Sequence, residues 1–178
     1  MVEILINGCS FTALDNQWPD FFPLNHKNIA LGGNSNDQIF LTTIEELQKN
    51  NYNVVIVMWS FLERTHMSTA NHEIKNILVN SPIGEVIGDD YLNPGDISGS
   101  KIEQALDRFK KDYFQYFYSD QIQQRKLDVY QHCVSNSCER VIHLNVRDVT
   151  GNMDKTGHPT SDASKDFAQK LMDTYFNE

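Results

Sequence analysis

Ser10 lies in Asn7-Gly8-Cys9-Ser10-Phe11-Thr12, directly after a short apolar run, with a glycine ahead of it that permits a tight turn. A serine hydroxyl becomes a nucleophile only when a base takes its proton. Otherwise Ser10 or Thr12 caps a following helix, and the hexapeptide alone leaves both roles open. His158, in Gly157-His158-Pro159-Thr160, is the residue type for such a base, and Pro159 fixes the chain just after the imidazole. Gly32-Gly33-Asn34-Ser35-Asn36-Asp37 offers a backbone N–H unshielded by a side chain, suited to an oxyanion. Its spacing matches neither the dinucleotide fingerprint nor the P-loop. Glu63 and Arg64 follow the segment ending Trp59-Ser60. Either they pair on a rim, or Arg64 forks onto a carboxylate or hydroxyl-rich ligand. His26, His66, His72, His132 and His143, with Cys9, Cys133 and Cys138, have no metal-site spacing, so no metal is expected.

The elements that must carry these residues read as alternating strands and helices. Val2 to Ile6 is a strand stopped at Asn7-Gly8, and Lys27 to Leu31 is a second extended piece broken by Gly32-Gly33. Asn34 to Asp37 offers caps for a helix reaching about Asn50, whose Ile39, Phe40, Thr43, Ile44 and Leu47 recur at three- and four-residue steps. Val54 to Trp59 is apolar at every position, the pattern of a strand covered on both faces. Thr65 to Gly99 reads as a long loop with only Ile77-Leu78-Val79 and Val86-Ile87 apolar, which fits a lid or disorder equally. Lys101 to Val134 recovers helical spacing, with a break at Ser119-Asp120. Glu139 to Leu144 is another strand, 145–157 a polar loop, and Ser161 to Phe176 a terminal amphipathic helix. Such alternation implies right-handed crossovers and a parallel sheet, with ligands at the carboxyl ends of its strands.

Composition narrows the field. The 178 residues fit one ordinary domain, 1–178, with a loop-rich insertion at about 65–99. Fifteen Lys and Arg against 24 Asp and Glu give a net charge of −9, which repels a phosphate backbone, so no nucleic-acid partner is expected. The longest strongly apolar run, Val54 to Trp59, is far short of a bilayer, and Met-Val-Glu-Ile is not a basic n-region, so neither a membrane span nor a secretion signal is expected. With an odd number of cysteines, the expectation is reduced thiols and a cytoplasmic location. Tyr113 to Tyr118 holds more aromatics than one buried face uses: either core plus ordinary exposed tyrosine, or a homo-oligomer or ligand surface.

Taken in order, Gly8-Cys9-Ser10-Phe11-Thr12, then Asn28 and Gly33-Asn34-Ser35-Asn36-Asp37, then the strand ending Trp59-Ser60, then Asp154 and His158-Pro159-Thr160 resemble the SGNH hydrolase superfamily, also called GDSL esterases and lipases. The likeness spans nearly the whole chain. It implies a flavodoxin-like three-layer α/β/α sandwich with a mainly parallel sheet of four to five strands. Carried over, Ser10 is the nucleophile, His158 the base and Asp154 the acid. The Ser10 and Gly33 amides are oxyanion donors, with Asn34 or Ser60 replacing the family's third-block asparagine, and Asn36, Trp59 and Arg64 bind substrate.

The chain departs from that pattern at three places. Cys9 stands where the family has Asp, and is expected to be buried and structural; the third-block Gly-x-Asn is missing; and Lys155 occupies the position three before the histidine, leaving Asp154 four before. The implied activity is hydrolysis of short acyl esters, with O-acetylated carbohydrate as a substrate class, and it needs no cofactor. The missing asparagine motivates a second reading, a noncatalytic glycan-binding or assembly module. A flavin or nucleotide binder would share the sheet order but lacks a Ser/Thr-rich phosphate loop after the first strand.

Overall fold

The computed structural model describes residues 3–68, 76–79, 86–88, 108 and 111–177. They fall into two compact units, Met1–Phe61 with Tyr130–Glu178, and Leu62–Val129.

The first unit is built on four strands, β1 (Ile4–Asn7), β2 (His26–Asn28), β3 (Val54–Trp59) and, late in the chain, β7 (Val141–Asn145). They pair in the order β2-β1-β3-β7, every neighbour parallel, with Ile6 opposite Asn28 and Ile56, and Met58 opposite Leu144. Within the first unit this is the 2-1-3-4 succession of the flavodoxin-like doubly wound sheet. The sequence bounds lie within a few residues of these strands. All six residues of β3 are buried, as its uninterrupted apolar run requires.

Helix α2 (Asn36–Lys49) starts where Ser35 Oγ accepts from the Gln38 N–H, one of the caps its sequence offered. It is tied to the sheet by a polar pin. The fully buried Asn7 amide donates to Ile39 O at 3.1 Å, Thr42 Oγ1 at 2.9 Å and Thr43 Oγ1 at 2.8 Å, while Asn7 Oδ1 accepts from the Gly8 N–H. Because side chains alternate along a strand, Leu5 shares the face of Asn7, and Ile4 and Ile6 take the other. The last helix, α4 (Ser161–Tyr175), is capped by Thr160 and places Phe167 against Trp18 of the short 3-10 turn Trp18–Phe21, ring centroids 6.0 Å apart. Helix α3 (Asp120–Ser135) ends in this unit, where Tyr130 stacks on Phe40 at 4.2 Å and donates to Asp37 at 2.6 Å. Burial and the Asp37 carboxylate push the Tyr130 phenol well above its ordinary range.

The second unit corrects the reading of 65–99 as loop. Three strands lie there, β4 (Thr65–Ser68), β5 (Asn76–Val79) and β6 (Val86–Gly88), forming an antiparallel sheet in that order. The two apolar fragments noted in the sequence are β5 and β6. Strands of three or four residues give alternation too few positions to register. The lid expectation falls mostly on residues outside the described ones. In the following stretch Tyr113–Phe117 forms a π-helical turn, and α3 begins at Asp120, the break the sequence signalled. Among the described residues, no helix is long and apolar enough to cross a membrane.

His143 on β7 gives the first unit a pH dependence. Trp59 Nε1–H donates to its Nδ1 at 3.1 Å, so Nε2 carries the proton and meets Ser135 Oγ at 2.8 Å. Burial, the largest cause, lowers its pKa from the ordinary 6.5. Below that value the unfolded chain takes up a proton that the folded chain refuses, so stability falls as pH drops toward the lowered folded pKa. Urea titrations are expected to show this loss in the parent, and a smaller loss over the same window in His143→Gln, which keeps an acceptor for Trp59.

Candidate active site

The carboxyl ends of β1, β2 and β3 converge on the four-residue helix α1 (Ser10–Ala13). Gly8 leads into it with no room for a side chain: a Cβ there would lie 2.5 Å from Thr12 Oγ1 and 3.1 Å from Met58 O. Thr12 Oγ1 donates to Met58 Sδ on β3, and Asn28 Nδ2 on β2 donates to Thr12 O at 2.8 Å. Three strands thereby fix the first turn, and Ser10 stands at its start, 8% exposed. Cys9 beside it is fully buried, as expected for a packing residue.

His158 reaches the same place from the far end of the chain. Its loop folds back on itself, with the Asp154 N–H on His158 O at 2.8 Å, the Gly157 N–H on Asp154 O at 3.1 Å and the Thr160 N–H on Asn152 O at 3.0 Å. Gln17 Nε2 holds Pro159 O, and Phe11 lies against the imidazole, ring centroids 5.4 Å apart. The result is His158 Nε2 at 2.9 Å from Ser10 Oγ.

Asp154 meets the histidine differently from the expectation. Thr156 Oγ1 stands on His158 Nδ1 at 2.9 Å, and Asp154 Oδ1 lies 2.6 Å from that hydroxyl while accepting from the Thr156 and His158 N–H groups. The Thr156 hydroxyl and amide, then the His158 amide, hold the Asp154 carboxyl below its usual range, so it is ionised at neutral pH. Thr156 was missed in the sequence. The available signal was a hydroxyl residue midway between an acid and a histidine four apart.

The second motif forms a turn in which the Asn34 N–H bonds Leu31 O at 3.3 Å and Gly33 has φ +83°, a conformation strained for any residue with a Cβ. Among the described residues the Gly33 N–H has no backbone acceptor. Ser10, first in α1, likewise has an N–H without an intrahelical acceptor.

Asn34, Asn36, Trp59 and Ser60 are all buried in the first unit. Asn36 clamps the backbone of Ser60 with both amide atoms, Oδ1 accepting from Ser60 N at 2.7 Å and Nδ2 donating to Ser60 O at 3.2 Å. Ser60 is wholly enclosed, which closes its hydroxyl to an acyl oxygen. Trp59 is also fully buried, its indole directed at His143. Asn34, 4% exposed, turns its amide to Gly8 O at 3.4 Å. Arg64 belongs to the second unit, whereas the first supplies every side chain of the Ser10–His158 cluster. Among the described residues, no group of three or more His, Cys, Asp or Glu is placed to hold a metal.

No family profile and no curated protein matches the chain. Among solved structures it is similar to a member of the lipolytic protein G-D-S-L family from Veillonella parvula DSM 2008, at 10% identity over 100% of both chains with a TM-score of 0.46. It is also similar to a "putative acylhydrolase" from Bacteroides fragilis NCTC 9343, at 15% identity over 96% of this chain and 86% of that one, TM-score 0.42. Both likenesses concern the backbone alone.

The clamp role of Asn36 is testable. Asn36→Ala leaves a buried N–H and C=O of Ser60 without partners, and is expected to cost about 1–3 kcal/mol in urea unfolding. Unchanged stability with a raised KM for an ester would restore the substrate-binding role.

Proposed function

We propose that the chain is a serine ester hydrolase acting on short acyl esters, O-acetylated carbohydrate among them. The observation that carries this is the 2.9 Å approach of Ser10 Oγ to His158 Nε2 at the carboxyl ends of the parallel strands. Ser10 Oγ adds to the ester carbonyl as its proton passes to Nε2. The tetrahedral intermediate then expels the alcohol, whose oxygen takes the Nε2 proton, leaving an acyl-serine. Water repeats the sequence, giving its proton to Nε2 and its hydroxyl to the acyl carbon; Ser10 recovers the proton and the carboxylic acid departs. In this reading the Ser10 and Gly33 N–H groups face the oxyanion and Asp154 is the acid behind His158. The cycle consumes no cofactor.

The oxyanion site is short of a donor. The family's third-block asparagine is missing from the sequence, and lacking one oxyanion donor raises the barrier by about 2.7–4 kcal/mol. Slow turnover is therefore expected. A noncatalytic glycan-binding or assembly module is the second reading, favoured by that missing asparagine and by Tyr116 and Phe117, 68% and 73% exposed.

Hydrolysis of p-nitrophenyl acetate separates the two. The parent is expected to exceed Ser10→Ala by about 10³-fold in kcat/KM. Equal rates, with acetylated oligosaccharide still bound in calorimetry, would replace the esterase by the binding module.

A further inference from the structure

The geometry points to Thr156 as a positioning residue that fixes which nitrogen of His158 carries the proton, acting as a hydroxyl relay between Asp154 and the imidazole. This rests on the esterase reading for its consequence in catalysis, and on hydrogen-bond polarity alone for its structural part.

Proton counting gives the relay one direction. Thr156 Oγ1 has one hydrogen and two neighbours, Asp154 Oδ1 at 2.6 Å and His158 Nδ1 at 2.9 Å. If the hydrogen pointed to Nδ1, the hydroxyl oxygen would face a carboxylate oxygen lone pair to lone pair at 2.6 Å, a repulsive contact between two acceptors. The hydroxyl therefore donates to Asp154, which, ionised, has no proton of its own to give. Thr156 Oγ1 has only lone pairs left for the ring, so Nδ1 must be the N–H. Neutral imidazole carries one proton, and Nε2 is left with its lone pair toward Ser10 Oγ at 2.9 Å. That is the tautomer a general base requires.

The turn keeps the relay in register. The Asp154 oxygen that takes the Thr156 hydroxyl also takes the Thr156 N–H at 2.7 Å and the His158 N–H at 3.1 Å, so the carboxylate is held by the backbone on either side. With Asp154 four residues before the histidine and Lys155 three before, the hydroxyl spans the gap that a directly bonded acid would fill. When His158 gains a proton from Ser10, both ring nitrogens are N–H, and the added positive charge lies one hydroxyl from the carboxylate.

Thr156→Val keeps the shape and removes the hydroxyl; Thr156→Ser keeps the hydroxyl. Nitrogen-15 NMR of the ring nitrogens near neutral pH is expected to show the Nδ1–H form in the parent and in Thr156→Ser, and a mixture in Thr156→Val. On a short acyl ester, kcat/KM should fall about 10²-fold in Thr156→Val and stay within about threefold in Thr156→Ser. A merely structural threonine would move stability without moving the tautomer. An Nε2–H form in the parent, or a tautomer indifferent to Thr156→Val, overturns the relay whether or not the protein turns over esters. Absence of ester turnover alongside the expected tautomers overturns the esterase reading and leaves the relay standing.

Discussion

Everything at the candidate site depends on two groups 148 residues apart in sequence, Ser10 Oγ and His158 Nε2, standing 2.9 Å from each other. Neither element holds that distance alone. Helix α1 has four residues and no side-chain cap, so its position comes from Gly8, the Thr12–Met58 contact and the Asn28 amide, each on a different strand end. The histidine loop is fixed by its own cross-bonds and by Gln17 on the segment after α1. The parallel sheet is what makes such convergence available, because parallel strands put all their carboxyl-end loops on one edge.

The same edge shows how buried polar groups decide between structure and chemistry. Asn7, Asn34 and Asn36 are all buried, and each amide satisfies backbone or hydroxyl groups that the sheet-to-helix junctions would otherwise leave unpaired. An asparagine engaged in this way holds the loop but has little left to offer a ligand. His158 faces the serine from the loop after β7, where Asp154, Thr156 and His158 remain near solvent.

Legibility in the sequence followed local signal strength. Strand β3 was readable to the residue because six consecutive apolar positions admit few alternatives, and α2 because its caps and its three- and four-residue spacing agree. Strands β4, β5 and β6 were not, since pieces of three or four residues carry no period. At the site, Ser10 and His158 stood out through neighbours that constrain the backbone, a glycine before one and a proline after the other. The directions taken by Asn36 and Trp59 were not legible, because residue type announces a polar or aromatic group but not where it points. Thr156 escaped for the complementary reason, an ordinary loop threonine whose role exists only once the loop turns back on itself.

The most direct measurement is mass-spectrometric mapping of the protein after exposure to a fluorophosphonate. Phosphonylation confined to Ser10, and slowed by about 10²-fold or more when His158 is replaced by alanine, is the expected result. An unmodified Ser10, or a labelling rate indifferent to His158, would contradict the pairing of these two groups as nucleophile and base.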